Sequence, residues 1–185
     1  MSRFLYLILG GTIHRIANLL SRLRNKYYLL KLAACGKGCH IEGNCNLPML
    51  QLYLGNNVYI GPGATFVSSD AKIIVGDNVM FGPNVMIATG NHRIDVVGKL
   101  MVDVKCKREC DDQDVIIEDD CWIGMSAIIL KGVTIGRGSV IGAGAIITKD
   151  VPPYSVVTGT RTNCVRQRFS DCDLSLHKEL LYNQR

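Results

Sequence analysis

Between Ile117 and Thr158, aliphatic residues recur at every sixth position: Ile117, Ile123, Ile129, Ile135, Ile141 and Ile147. Glycine follows directly at Gly124, Gly136 and Gly142, and a small or branched residue stands two places before the next aliphatic at Cys121, Ala127, Val133, Ser139 and Ala145. A period of six fits neither the 3.6 of a helix nor the alternation of a simple strand. Fixed-period self-similarity marks a solenoid, in which each unit buries its apolar face only by stacking on the next. Six residues suit a short strand and a corner. Gly, Asn or Asp near the corner tolerates positive φ, and the β-branched surplus favours strand over helix. Three such units close a triangular coil, with successive coils about 4.8 Å apart.

The run resembles that of the hexapeptide-repeat acyltransferases, over about residues 41–160. The resemblance implies a mainly β fold: a left-handed parallel β-helix with an N-terminal helix and a short C-terminal helix. The general rule for parallel crossovers would give the opposite hand. The expected organisation is one domain with a helical segment 1–40, the solenoid 41–160 and a tail 161–185.

Charge and cysteines narrow the function classes. The net charge is +5, but seven Lys/Arg and no acid fall between Met1 and Ile41, so +5 less +7 leaves −2 for the remainder. A nucleic-acid footprint would spread basic residues over a binding face, and none is expected here. Eight cysteines and no signal-peptide cleavage pattern suggest a reducing, cytoplasmic setting. Cys35/Cys39 and Cys106/Cys110 form CxxxC pairs, a weaker zinc signal than CxxC, and no metal is expected.

Residues 3–33 read as a helix, with the Gly10-Gly11 pair expected to break or kink it. The favoured role is to cap the solenoid end, which must be covered in any case. The competing role is a basic amphipathic helix on an anionic membrane, a peripheral contact through residues 1–33. The run Phe4–Leu9 is too short to span a bilayer, which takes about 20 residues.

The period fails twice. Ser68, Ser69 and Asp70 add three residues, and from Thr89 to Asp114 the repeat vanishes altogether. Long loops in compact repeats usually carry function. After Thr148 the run Lys149-Asp150-Val151-Pro152-Pro153 ends the regular solenoid, and residues 171–182 read as a closing helix with Asp171 or Asp173 near its N-cap.

His92 lies in the long loop. A neutral imidazole with a pKa near ~6.5 can take a hydroxyl proton at neutral pH. His14, His40 and His177 have no such setting and read as structural. GNHRID resembles the histidine loop of the galactoside, maltose and xenobiotic acetyltransferases, which makes His92 the expected general base. The same resemblance gives Asp70 the role of holding the acceptor. It places Trp122, Ala143, Thr148, Lys149 and Arg166 along acetyl-CoA, with Met125 where relatives have a small polar residue. It also implies a homotrimer with sites between subunits.

The expected reaction is acetyl transfer from acetyl-CoA to a hydroxyl of a saccharide or related small acceptor. The short apolar-basic start is similar to that of acetyltransferases from surface-polysaccharide gene sets. The alternatives are sugar N-acetylation and a non-catalytic assembly solenoid. A γ-type carbonic anhydrase would need three histidines around a metal, and His92 has no partners in the repeats.

Overall fold

The computed structural model describes residues 3–97, 100–159 and 164–182; the side chains of residues 3–10, His14, Cys164, Leu181 and Tyr182 lie outside that description. The expected structural role of His14 therefore lies outside it too, as do residues 160–163 and 183–185 of the tail.

The repeat builds three stacked parallel sheets, the faces of a left-handed β-helix. Face one holds Ala34–Cys35, Leu52–Leu54, Ile73–Val75, Val115–Ile117 and Thr134–Ile135. Face two holds His40–Ile41, Tyr59–Ile60, Met80–Phe81, Trp122–Ile123, Val140–Ile141 and Ser155–Thr158. Face three holds Thr65–Val67, Met86–Ala88, Ile128–Ile129 and Ile146–Ile147. The coil thus starts at Ala34, ahead of the first regular aliphatic repeats.

Each period-six aliphatic points inward. Ile117, Ile123, Ile129, Ile135, Ile141 and Ile147 are all buried, joined by Phe66 and Phe81, whose rings lie 5.4 Å apart. The small residues before them, Cys121, Ala127, Val133, Ser139 and Ala145, are buried where the coil turns. Ser139 tolerates burial because its hydroxyl donates to the Pro152 carbonyl at 2.9 Å and accepts the Ser155 N–H at 3.1 Å.

The corners divide the conformational work between two positions. Positive φ falls on Asn57, Asn78, Asp120, Gly138 and Tyr154 in one column, just before the buried small residue. The glycine directly after the aliphatic does something else. A Cβ on Gly124 would sit 2.6 Å from the Ala143 nitrogen and 2.7 Å from the Ile141 carbonyl oxygen, so this position is reserved for backbone approach between coils. Gly138 needs both freedoms, since its φ is +71° and the Tyr154 ring lies against it.

Helix α1 (Arg3–Lys31) runs unbroken across Gly10 and Gly11, against the expected break. Glycine in a helix interior costs about 1 kcal/mol relative to alanine, and Leu-, Ile- and Arg-rich turns on both sides carry the helix through. Its C-terminal end covers the solenoid. Tyr28, Leu29 and Leu32 pack on the core. Asn25 Oδ1 accepts the Ile41 N–H at 2.8 Å, and the Tyr28 hydroxyl donates to the Cys45 carbonyl at 3.3 Å.

At the far end, Cys164–Gln167 pairs antiparallel with Ser155–Thr158, an extension that the period did not announce. Helix α2 (Asp171–Tyr182) follows. Its cap is Ser170: the hydroxyl accepts the Asp173 N–H at 3.1 Å and donates to the Asp173 carboxylate at 2.7 Å.

Candidate functional site

The two interruptions of the repeat leave the coil at the same edge, where face three turns back to face one. The long loop does not disturb the stack, because Val115 still pairs with Ile73 and Ile116 with Thr134. Its base is clamped. Gln113 N–H donates to the Thr89 carbonyl at 2.8 Å and Asn91 N–H to the Asp111 carbonyl at 2.9 Å, around a bridge between Gly90 and Asp112. His92 is the next residue, so its starting point is fixed although its side chain is exposed.

The short insertion reaches across to the loop. Ser69 Oγ donates to Asp112 Oδ2 at 2.8 Å, and Lys107 Nζ lies 2.6 Å from the same carboxylate and 2.8 Å from Ser69 Oγ. The Lys107 ammonium holds the Asp112 carboxyl below its ordinary range. Between insertion and loop lies a cleft of about 260 Å³, lined by Val67, Ser68, Ser69, Gly90, Asn91, His92 and Lys107. Among the described residues, no side chain hydrogen-bonds the His92 imidazole, so both ring nitrogens are open to a ligand.

Asp70 is exposed and lines a neighbouring cleft of about 380 Å³ with Ala71, Lys107, Arg108 and Asp112. Lys107 borders both clefts. The structure therefore brings Asp70 and His92 to one edge but into adjoining hollows. Ser69, Lys107 and Asp112, which join the two, carry no periodic signal. Only the coincidence of two interruptions on one edge pointed toward them.

The loop is braced internally. Arg93 Nε donates to Asp95 Oδ1 at 3.1 Å, and Arg108 Nη1 donates to Asp95 Oδ2 at 2.7 Å. Arg108 also grips buried Asp111 through Nη2 at 2.9 Å and through its own N–H at 2.8 Å. These bonds lower the Asp111 carboxyl from 3.8 to about 2. A depressed carboxyl pKa stabilises the brace above the unfolded value, and that contribution is lost as pH falls through the folded one. The loop should therefore open as pH drops from about 4 to about 2. Pepsin cleavage mapped by mass, normalised to an unfolded peptide, should rise over that window within residues 93–110 and stay low in the coils.

The other predicted positions sit elsewhere. Trp122 is on face two, outward and 52% exposed, in a row with Val140, Val156 and Arg166. Arg166 is exposed and lies three strands from Trp122, roughly 14 Å away at ordinary strand spacing. Exposed Ala143 follows at the corner between faces two and three, where the Gly144 N–H donates to the Met125 carbonyl at 2.8 Å. Thr148 and Lys149 are exposed on the same edge as His92, two coils further on. Within one chain, His92 stands at the edge between faces three and one, whereas Trp122 lies on face two opposite that edge and Ala143 at the corner between faces two and three.

No cluster of three or more His, Cys, Asp or Glu suited to a metal occurs among the described residues. Cys39 and Cys121 are buried core residues, and burial pushes the Cys121 thiol up to about 12. Cys106 and Cys110 are exposed in the loop.

Comparison with known proteins identifies the family of the repeat. The family described as bacterial transferase hexapeptide (six repeats) matches residues 114–149. A galactoside O-acetyltransferase from Lactococcus lactis is 36% identical over 147 residues, covering 77% of this chain and 66% of that protein. The chain spans about half to two thirds of the length of the first curated relatives, 53% and 66%. Among solved structures, a maltose O-acetyltransferase from Clostridium difficile is 31% identical with a TM-score of 0.61, covering 82% of both chains. A hexapeptide-repeat acetyltransferase from Vibrio cholerae, solved with acetyl coenzyme A, is 26% identical with a TM-score of 0.66. That match covers 80% of this chain and 76% of that one.

Proposed function

The chain belongs to the hexapeptide-repeat acetyltransferase family, and from that premise we propose that it moves an acetyl group from acetyl-CoA to a hydroxyl of a saccharide or related small acceptor. The observation that carries the reading is the cleft between the two interruptions, with the exposed imidazole of His92 on its wall. Its size suits a small polar acceptor, and its walls offer the Ser68 and Ser69 hydroxyls and the Lys107 ammonium to sugar hydroxyls. The Asp70 carboxylate in the adjoining hollow can accept a further hydroxyl hydrogen.

In this reading His92 removes the acceptor hydroxyl proton as the oxygen attacks the thioester carbonyl. The C–S bond then breaks, and the departing thiolate recovers the proton from the imidazolium. Trp122 offers a flat apolar surface for the pantetheine arm. The small Ala143 lets its backbone approach that arm. Lys149 and Arg166, with the Thr148 hydroxyl, suit a nucleotide and its phosphates. His92, at the edge between faces three and one, and Trp122, on face two, lie on different sides of one chain's coil, so a complete site requires a second copy. A trimer in which neighbouring faces form the groove supplies one.

The test is direct. Calorimetry should show submillimolar coenzyme A binding, and mass spectrometry should show one acetyl added to galactoside or maltoside acceptors as an alkali-labile ester. An alkali-stable amide would indicate N-acetylation instead. Absence of coenzyme A binding would sink the enzymatic reading in favour of an assembly solenoid.

A further inference from the structure

Helix α1 has two apolar faces, and the solenoid uses only one. Tyr28, Leu29 and Leu32 pack on the core from its C-terminal end. At ~100° per residue, the roughly opposite side carries Ile13, Ile16, Leu20, Leu23, Tyr27 and Leu30. Each of these is more than half exposed. Leu19 widens the stripe and is exposed as well. An apolar stripe of this length on a soluble surface marks an interaction face.

The charges around the stripe select its occupant. Arg15, Arg22 and Lys26 run along one flank, and Lys31 lies on the other with its ammonium 5.3 Å from the Tyr27 ring centre. The helix contains no acid. The apolar positions also fit a heptad, which invites pairing with a second copy. In a parallel pair, however, Lys26 would face Lys31 of the other helix, a like-charge contact that opposes association. An acidic lipid surface satisfies both features. It accepts the apolar stripe at the acyl boundary and gathers the basic side chains at the headgroups, with their stems lying along the apolar surface. Among the described residues no helix is long and apolar enough to cross a membrane, so the contact is one that lies on the surface. At ~1.5 Å per residue, the stripe from Ile13 to Leu30 gives a contact roughly 27 Å long.

We propose that α1 seats this protein on anionic membrane surfaces through the Ile13–Leu30 stripe, while its C-terminal end caps the solenoid. The inference stands independently of the catalytic reading, and its test is read by vesicle recovery rather than by acetylation.

Full-length protein is floated with vesicles of phosphatidylcholine containing phosphatidylglycerol, and with phosphatidylcholine alone. Recovery with the anionic vesicles only, weakened by high salt, is expected. Leu20→Glu with Leu23→Glu should cut affinity by more than about ten-fold. Arg15→Gln, Arg22→Gln and Lys26→Gln together should cut it about a hundred-fold, at about five-fold for each charge. Unchanged binding by either variant, or equal recovery with both vesicle types, overturns the proposal. So does a glutamate variant that lowers the molar mass in light scattering while wild-type protein ignores vesicles, since the stripe is then a self-interface. If the glutamate variant loses helical circular dichroism, the glutamine variant decides alone, because it leaves every apolar side chain in place.

Discussion

Replacing His92 with alanine is expected to lower kcat by about 10²–10⁴-fold, with little change in KM for acetyl-CoA. The imidazole is exposed and bonded to no other side chain among the described residues, so its removal leaves no buried gap and breaks no brace. Thermal stability should stay within about 0.5 kcal/mol of the parent, as for other surface substitutions. Steady-state kinetics with a responsive acceptor, alongside a melting curve, checks both halves. Full retention of acetyl transfer in the alanine variant would remove His92 from the mechanism.

The second large effect lies one side chain away from a small one. Ile123→Ala should destabilise the protein by about 2–5 kcal/mol. Ile123 is fully buried and stacked in register between Phe81 and Ile141 of adjacent coils. Its loss opens a gap that neither neighbour can fill without shifting its own coil, so the cost should spread along the stack. Trp122→Ala, at the next position, should be nearly silent in stability because that ring points outward. In the proposed function it should instead raise KM for acetyl-CoA. Denaturant melts of the two variants, with acetyl-CoA titrations, separate the inner and outer walls of one strand. Equal destabilisation by both would mean that the Trp122 ring packs against the protein rather than awaiting a ligand.

These contrasts show what the repeat could and could not say. The period assigns inside and outside residue by residue, because a strand's alternation and a corner every sixth position leave each side chain one direction. It therefore placed Ile123 in the core. It also located both interruptions, since a departure from a strict period is visible without any structure. It could not separate the two corner roles: Gly124 provides backbone closeness between coils, whereas Asn57, Asn78 and Asp120 supply positive φ. Both kinds of residue read alike as turn residues.

Helix α1 shows a different gap. Its apolar content announced a helix but not that two opposite faces are apolar. Only the packing of Tyr28, Leu29 and Leu32 on the solenoid reveals that the Ile13–Leu30 stripe is left over. The expected break at Gly10-Gly11 failed for a related reason. Local glycine penalties of about 1 kcal/mol are small beside the cooperativity of a long helix.

The period alone settles the solenoid, its inward column and the two places where the column lapses, because a fixed period is a local property of the chain. That the lapses meet is visible only in the folded coil. Ser69 and Asp112 bond across 43 positions, with Lys107 between the His92 and Asp70 hollows. Winding brings distant turns onto one edge, and it also sets Trp122 on face two, opposite the edge that carries His92. No spacing in the chain encodes that separation, because it arises only when three faces close around a common core.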